Sequence, residues 1–409
     1  MAKRAALLLS LLVVLLSACP GAGESHLVRL WSQTPDILPF VDRYNAGQQD
    51  YKVEVAYLPS PADEILIAQE VPDLVLSERL SAPRCAAKLE GLGPLVNQAG
   101  LDPRTFYQQL LSSQQSGGAI TALPFSFNLP VVIFNRDLFP SGAPDELSLE
   151  QLMSLGKTYN KTDKNRLTAL GFSPLWNRGF LFHTATLFEV DFHAGSDLKL
   201  SWNQAALDTW LQYLVTWTDQ QNGGFDRESE FIRTYLYEPP YQLAGRSASE
   251  TRRIAFYQAL VRDYFLIPTE KRSRLAMAWL TRSEKIPADE GILFFGVPKG
   301  VHNRPGAYDF LKWTCTAQTQ NAVLKDNAAA NPGAFGIGGG FSTLPQVNET
   351  FLPEMFPFLA GRVPDASRII FPSPLPETWE KIKTEVLLSW IYDHFQHKKD
   401  IPPLQAVLP

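Results

Sequence analysis

Polar side chains that could bind a ligand follow two short apolar segments near the start of the chain. Ser32 and Gln33 come directly after a mainly apolar segment at residues 27–31, and Glu78 and Arg79 follow a later apolar segment. These segments alternate with helical patterns, which indicates a parallel sheet with right-handed crossovers. Ligands of such sheets bind beyond the carboxyl ends of the strands. We therefore expect the four polar side chains at one rim of a ligand site.

A second candidate element runs through residues 117–139 and contains two β-prone pieces separated by Pro124 and Pro130. Proline cannot donate to a sheet ladder, so residues 125–128 are predicted to lie outside a regular central strand. Two interpretations fit the residues equally well. The segment is either a hairpin within one domain or a connection that leaves one lobe and enters another.

A glycine-rich segment lies late in the chain, at residues 335–345. Glycines at this density indicate that the backbone bends sharply or approaches a ligand closely. The segment is not a dinucleotide fingerprint, because position 341 is Phe where the third glycine would stand. It therefore predicts no nucleotide cofactor.

The sequence contains no recognisable catalytic motif: no Gly-x-Ser-x-Gly, no His-Glu-x-x-His and no Walker lysine. His394 and His397 share a predicted helix with Lys398 and Lys399, which favours a solvated helix end over a metal site. We therefore expect no catalytic residue, no metal and no cofactor.

Length and composition narrow the class of protein. A chain of 409 residues exceeds one ordinary core, so two domains or two lobes are expected. The formal charge is −5 and no basic run occurs, which argues against a nucleic-acid partner. The nine Trp residues suit a site that stacks on flat apolar ligand faces.

The N-terminus carries an export pattern. Lys3 and Arg4 precede a short uncharged run, and Leu-Ser-Ala then leads directly to Cys19, which resembles a bacterial lipobox. This predicts a signal peptide over residues 1–18, lipid on Cys19 and a tether over residues 19–26. The alternative is an ordinary signal peptide with an accidental cysteine. Several acyl chains on one residue would anchor the protein stably, at roughly 0.8 kcal/mol per buried methylene.

Two further cysteines, Cys85 and Cys315, are far apart in the chain. An exported protein could pair them in a disulfide, but their spacing does not decide this.

Several weak motifs in a fixed order resemble a known family. Residues 122–125 (Ala-Leu-Pro-Phe) and 134–139 (Phe-Asn-Arg-Asp-Leu-Phe) are similar to a paired motif of the sugar-type extracellular solute-binding proteins of ABC transporters. That family includes maltose-binding protein. Residues 299–313 and the glycine-rich segment match further family segments, so the resemblance covers roughly residues 27–392.

The resemblance implies an α/β fold of two lobes, joined by three crossings, with a ligand cleft between them. Residues 27–127 plus 292–337 would form the N-terminal lobe, and residues 130–285 plus 345–409 the C-terminal lobe. The segment around Pro124 and Pro130 would be the first crossing. The second would lie near residues 286–292 and the third near residues 338–344.

The resemblance also implies where a sugar would bind. Aromatic rings stack on sugar faces, and polar side chains bind the hydroxyls. The implied ligand-binding residues are Ser32, Gln33, Glu78, Arg79, Asn128, Trp176, Asn177, Trp279, Gly339, Gly340, Phe341 and Trp379. For each aromatic residue the alternative is core packing, and Glu78 and Arg79 could instead pair on the surface. Trp210, Trp217 and Trp313 stand at helical spacing among apolar residues and are predicted to be core.

By this resemblance the chain would be the substrate-binding component of an ABC importer. It would capture a sugar or oligosaccharide, act as a monomer and present its closed form to membrane permease subunits. The body would lie in the periplasm or outside the cell, held to the membrane through Cys19. The alternatives are a membrane-anchored carbohydrate-active enzyme, which needs two carboxylates in the cleft, and a binding-protein fold reused as a sensor or adhesin.

Overall fold

The fold is described from a computed structural model that covers residues 26–97, 101–116, 119–246, 252–331 and 333–408. The predicted signal peptide, Cys19 and almost all of the tether lie outside the described residues, as do Gly117 and Gly118. No helix in the described part of the chain is long and apolar enough to cross a membrane.

The described chain alternates strands and helices. The strands are β1 Leu27–Ser32, β2 Lys52–Tyr57, β3 Leu74–Ser77, β4 Gln115–Ser116, β5 Ala119–Ile120, β6 Ala122–Phe127, β7 Pro130–Asn135, β8 Glu146–Ser148, β9 Lys161–Asp163, β10 Arg166–Ala169, β11 His193–Ala194, β12 Leu200–Ser201, β13 Phe256–Leu260, β14 Leu275–Thr281, β15 Ile286–Pro287, β16 Leu293–Gly296, β17 Phe341–Ser342 and β18 Ile369–Ile370. The α-helices are α1 Leu38–Gly47, α2 Pro61–Ile67, α3 Pro83–Lys88, α4 Gly93–Asn97, α5 Gln108–Ser113, α6 Leu149–Tyr159, α7 Arg178–Leu187, α8 Gln204–Thr216, α9 Phe225–Tyr235, α10 Pro240–Ala244, α11 Val261–Leu266, α12 Thr269–Arg272, α13 Arg304–Thr314, α14 Ala317–Ala330, α15 Leu352–Met355, α16 Trp379–Ile382, α17 Leu388–Phe395 and α18 Leu404–Val407.

The first sheet has six strands in the order β17-β6-β16-β3-β1-β2. Strand β1 pairs in parallel with both β2 and β3, with Leu30 opposite Val55 on one side and Leu74 on the other. This confirms the parallel arrangement predicted from the alternating apolar segments. Strand β16, which comes from much later in the chain, completes the sheet antiparallel to β3 and β6.

The second sheet has four strands in the order β13-β7-β14-β8. Every residue of β7 is buried, as its continuous apolar sequence predicts for a strand covered on both faces. Strand β7 pairs antiparallel with β13 and β14. Because β6 lies in the first sheet and β7 in the second, the proline-containing segment is a crossing and not a hairpin.

The prediction that residues 125–128 avoid a regular strand is wrong for three of the four. Strand β6 runs through Pro124 to Phe127, and only Asn128 lies beyond it. The register with β16 shifts between Leu293 and Phe294, and Phe294 lies opposite Pro124. A bulge of this kind interrupts the ladder where the proline cannot donate, so the strand continues past it.

The predicted core positions of Trp210 and Trp217 are confirmed, and a side-chain cap fixes the start of α6. Ser148 and Gln151 form a reciprocal capping box at the start of α6, with Gln151 N donating to Ser148 Oγ over 3.1 Å. Trp210 and Trp217 are buried in the core of the second sheet's lobe, whereas Trp313 is half-buried against the other core. Cys85 and Cys315 are both buried and free, so they do not pair.

Candidate functional site

A cavity of about 710 Å³ lies between the elements packed around the first sheet and those packed around the second sheet. The loop after β3 supplies Glu78 and Arg79, and helix α7 supplies a second wall. The segment between β15 and β16 forms the floor, and α16 and the turns after it close the remaining side. The principal lining residues are Glu78, Arg79, Arg178, Phe182, His183, Phe192, Arg262, Asp289, Glu290, Gly291, Phe371, Trp379, Glu380 and Lys383.

Gln33 positions the loop that carries Glu78. Its side-chain oxygen accepts hydrogen bonds from Ser77 Oγ (2.8 Å) and from the backbone N–H of Glu78 (3.0 Å). Ser32 is fully buried, and its hydroxyl donates to Thr34 O over 2.7 Å. Ser32 and Gln33 therefore support the rim from beneath and do not line the cavity.

Glu78 is half-buried in the cavity wall. Burial raises the pKa of Glu78 above its usual value, outweighing the opposing hydrogen bond from Gln33. Arg79 has a positive φ of 58°, a conformation that costs energy for a residue with a side chain. This turn carries two adjacent charged side chains at the first sheet's edge of the cavity.

Asp289 faces Glu78 across a glycine. A side chain at Gly291 would begin 2.9 Å from an oxygen of each carboxyl group, so the bare glycine leaves them room. Asp289 Oδ2 contacts His183 Nε2 at 2.9 Å, and Asp289 Oδ1 accepts from Gly291 N at 3.0 Å. Burial would raise the pKa of Asp289, but these hydrogen bonds and the nearby charges hold it below its usual value.

Trp379, the first residue of α16, connects this helix to the cavity floor by a hydrogen bond to Glu290. Its Nε1 donates to Glu290 Oε2 over 2.9 Å, and Lys383 also bonds to Glu290 and to Glu380. Burial alone would lower the pKa of Lys383, but the two carboxylates outweigh it and raise that pKa. The lysine therefore stays protonated and fixes this wall of the cavity.

Arg79 reaches across the cavity mouth. Its Nη1 donates to the backbone oxygen of Glu377 over 3.0 Å, and the backbone N–H of Arg84 donates to the Glu377 carboxylate over 2.5 Å. Arg79 follows β3 of the first sheet, and Glu377 precedes α16, which packs on the side of the second sheet. These hydrogen bonds therefore connect the two sides of the cavity. The prediction that Arg79 lies at the site rim fits this placement.

Asn128, between β6 and β7, forms hydrogen bonds to two other connecting segments, one at Gly339 and one at Asp289. Its side chain donates to Gly339 O over 2.7 Å, and its backbone oxygen accepts from Asp289 N over 2.9 Å. Gly339 has a φ of +74°, and a side chain at Gly340 would lie 2.3 Å from the oxygen of Phe127. The glycines thus permit close approach of one connection to another.

The remaining aromatic candidates do not line the cavity. Phe341 is buried and stacks on Phe127, and Trp279 is buried in β14 with Nε1 donating to Arg362 O over 2.8 Å. Trp176 and Asn177 line a separate cavity of about 280 Å³ behind the start of α7. Asn177 caps α7 by accepting from Gly179 N. Of the twelve predicted residues, Glu78, Arg79 and Trp379 line the main cavity.

The prediction omitted several residues that do line the cavity. Asp289 and Glu290 stand in the connection between β15 and β16, and His183 stands on α7. The one available signal was an Asp-Glu-Gly run inside the segment expected to be the second crossing. Lys383 and Arg262 carry no local pattern that separates them from surface charges.

Two α/β lobes, crossing segments between their sheets and a cavity at the junction define a two-lobed, periplasmic-binding-protein-like fold. The family model described as bacterial extracellular solute-binding protein matches residues 40–333. The chain therefore belongs to that family of bacterial extracellular solute-binding proteins. A search of curated proteins returns no match.

Solved structures show the same fold at low sequence identity. The sugar-binding protein MalE from Xanthomonas citri is 15% identical, with a TM-score of 0.66 over 93% of this chain and 94% of its own. An ABC substrate-binding protein from Listeria monocytogenes, solved with cycloalternan, is 14% identical, with a TM-score of 0.63 over 93% and 96%. A maltose-bound MalE3 from T. maritima is 13% identical, with a TM-score of 0.62 over 91% and 95%.

Proposed function

We propose that the chain is the substrate-binding component of an ABC importer and captures a sugar or oligosaccharide in the cavity between its lobes. The observation that carries this proposal is the wall of the cavity, which combines aromatic rings with carboxylate, imidazole and guanidinium groups. Sugars offer apolar faces and directed hydroxyls, which such a wall can bind. The structural neighbours whose names mention MalE, mannotriose or cycloalternan support the same ligand class.

Within this proposal Glu78 and Asp289 accept hydrogen bonds from ligand hydroxyls. Hydrogen bonds to charged groups contribute about 1.5–3 kcal/mol each, which places these carboxyls among the strongest single contacts available. Phe182, Phe192 and Phe371 provide apolar surface on the other sides. Ser32, Gln33, Asn128, Gly339 and Gly340 would act by positioning; their predicted ligand contacts stay predictions, as do those of Trp176, Asn177, Trp279 and Phe341.

The test is titration calorimetry of the purified full chain against maltose, cellobiose, mannobiose and the hexamer of each series. We expect at least one series to bind. Glu78→Gln should then weaken binding roughly tenfold or more, because an amide replaces a charge-assisted acceptor. Glu64→Gln, an exposed change on α2, is the matched control and should leave the affinity unchanged. Failure of every sugar to bind would contradict the proposal.

The same mixtures test the alternative of an enzyme. One observation favours it: Glu78 and Asp289 are two cavity carboxyls whose pKa values are shifted in opposite directions, a pattern that glycosidases use. We expect no shortened products, because His183 and Gly291 N already hold Asp289. Product release that Glu78→Gln abolishes would establish the enzyme instead.

We infer that residues 27–127 plus 292–337 and residues 130–285 plus 345–409 are the two lobes. A ligand that touches both favours the closed form by its differential affinity for that form. The bonds from Arg79 and Arg84 to Glu377 would be made only when the lobes approach each other. A permease that recognises this closed form, with the protein acting as a monomer, completes the proposed transport function.

We further propose that lipid on Cys19 anchors the protein to the membrane after export, with the body outside the cytoplasm. The basis is the lipobox-like sequence before Cys19. In detergent phase separation of bacterial membranes, the full chain should enter the detergent phase, and Cys19→Ala should shift it to the aqueous phase or leave a larger, uncleaved form. Identical partitioning and size for both chains would count against the anchor.

A further inference from the structure

A second groove lies beside the main cavity, on the lobe that contains the second sheet. This side groove has a volume of about 590 Å³ and runs between α9 and α17. Three residues, Arg178, Thr384 and Leu388, line both it and the main cavity. The two spaces therefore adjoin each other, and the side groove is nearly as large as the main cavity.

The walls of the side groove repeat the chemistry of a sugar site. Phe225 and Tyr392 supply two rings whose centroids lie 6.3 Å apart at an angle of 62°, so they present differently oriented faces. Ile232 adds to the apolar floor, and Ser389 and Gln396 on the rim offer hydroxyl and amide groups. Rings with polar groups beside them match the apolar faces and hydroxyls of a saccharide.

The side groove carries a net positive charge from Arg178 and Arg233, whose guanidinium groups can donate hydrogen bonds to saccharide hydroxyls. At its far end Asp393 and Lys398 pair with each other at 2.6 Å, which neutralises both. The groove is formed by α9, α17 and the beginning of α7, without a contribution from the first sheet's lobe. Its shape therefore does not depend on how far the two lobes close.

We propose that the side groove binds the distal units of an oligosaccharide whose other end lies in the main cavity. This inference rests on the proposed function and narrows it from sugars in general to chains longer than the main cavity holds. Such a chain would pass from the cavity to the groove over Arg178, Thr384 and Leu388, the residues that line both.

The experiment compares the disaccharide and the hexamer of the maltose, cellobiose and mannobiose series on the full chain. In the series that binds, the hexamer should bind about tenfold more tightly than the dimer, a difference of 1.4 kcal/mol. Tyr392→Ala should remove that gain and leave dimer affinity unchanged. Ser389→Trp, at an exposed position, should fill the groove and do the same without touching the core.

Thr209→Trp, exposed on α8 away from the groove, is the control for an added indole and should keep the gain. Equal affinities for dimer and hexamer would overturn this inference while leaving the proposed function intact. The inference is also overturned if Tyr392→Ala and Ser389→Trp weaken dimer and hexamer equally. Failure of every series to bind would contradict both the inference and the proposed function.

Discussion

Replacing Trp379 by alanine is expected to lower the free energy of unfolding by about 3–5 kcal/mol, the range for truncating a buried aromatic side chain. Trp379 is 2% exposed, and its ring packs against Phe182 and Phe192 at centroid distances of 5.6 and 5.5 Å. The change also leaves Glu290 without the Nε1 donor at 2.9 Å. Because both rings and Glu290 line the cavity, sugar binding should fall together with stability.

Two variants separate these effects. Trp379→Phe keeps an aromatic ring but loses the N–H and part of the indole volume, so its free energy of unfolding should fall by roughly 1–3 kcal/mol. Trp390→Ala removes another buried indole, whose Nε1 donates to Pro402 O. Trp390 stands on the same long helical segment as Trp379 but does not line the cavity. Trp390→Ala should destabilise the protein similarly and leave sugar affinity unchanged. Urea unfolding and calorimetry measure both quantities; equal loss of affinity in Trp390→Ala and Trp379→Ala would show that Trp379 has no specific role in the cavity.

The parallel part of the first sheet could be predicted because its information is local. Apolar runs of β1 and β3, separated by a helical pattern, need no knowledge of distant residues. The course of β6 could not be predicted in the same way. Whether Pro124 interrupts a strand depends on the partner, and here β16 shifts its register beside it. That partner enters the sheet from about 170 positions later in the chain.

In the candidate site, too, the features set by local sequence could be predicted and those set by long-range contacts could not. The rim after β3 follows from sheet topology, and Glu78 and Arg79 do line the cavity. Tertiary packing decides which tryptophan lines the cavity, because the residues before Trp279 and Trp379 do not by themselves distinguish a cavity position from a core position. Trp279, in β14, donates to the backbone oxygen of Arg362 outside the cavity, whereas Trp379 donates to the cavity carboxylate of Glu290. Asp289 and His183 become neighbours only through a contact between residues 106 positions apart.

A buried carboxyl group away from the cavity is expected to make stability depend on pH. Glu228 on α9 is 0% exposed, and it accepts hydrogen bonds from Ser173 Oγ and from Asn222 Nδ2, the latter over 2.8 Å. Burial nevertheless raises the pKa of Glu228 from 4.5 to about 7. Its ionised form is thus less favourable in the folded chain than in the unfolded chain.

The sign of the effect follows from proton binding. Between pH 4.5 and about pH 7 the unfolded chain releases this proton while the folded chain keeps it, so stability falls as pH rises. At 1.36 kcal/mol per pKa unit the total is about 3 kcal/mol, complete by about pH 8. Glu228→Gln cannot ionise, and its amide can still donate to Ser173 Oγ and accept from Asn222. The variant should therefore be more stable than the parent chain at pH 8 and about equal to it at pH 4.

Urea unfolding of the parent chain and the variant across pH 4–8 measures this difference directly. Subtracting the two profiles removes the titration of every other group, including the raised pKa of Glu78. Glu385→Gln, at an exposed position before α17, is the control and should give a difference that does not change with pH. A pH-independent difference for Glu228→Gln as well would mean that Glu228 ionises in the folded chain at its ordinary pKa, with the Ser173 and Asn222 hydrogen bonds fully offsetting its burial.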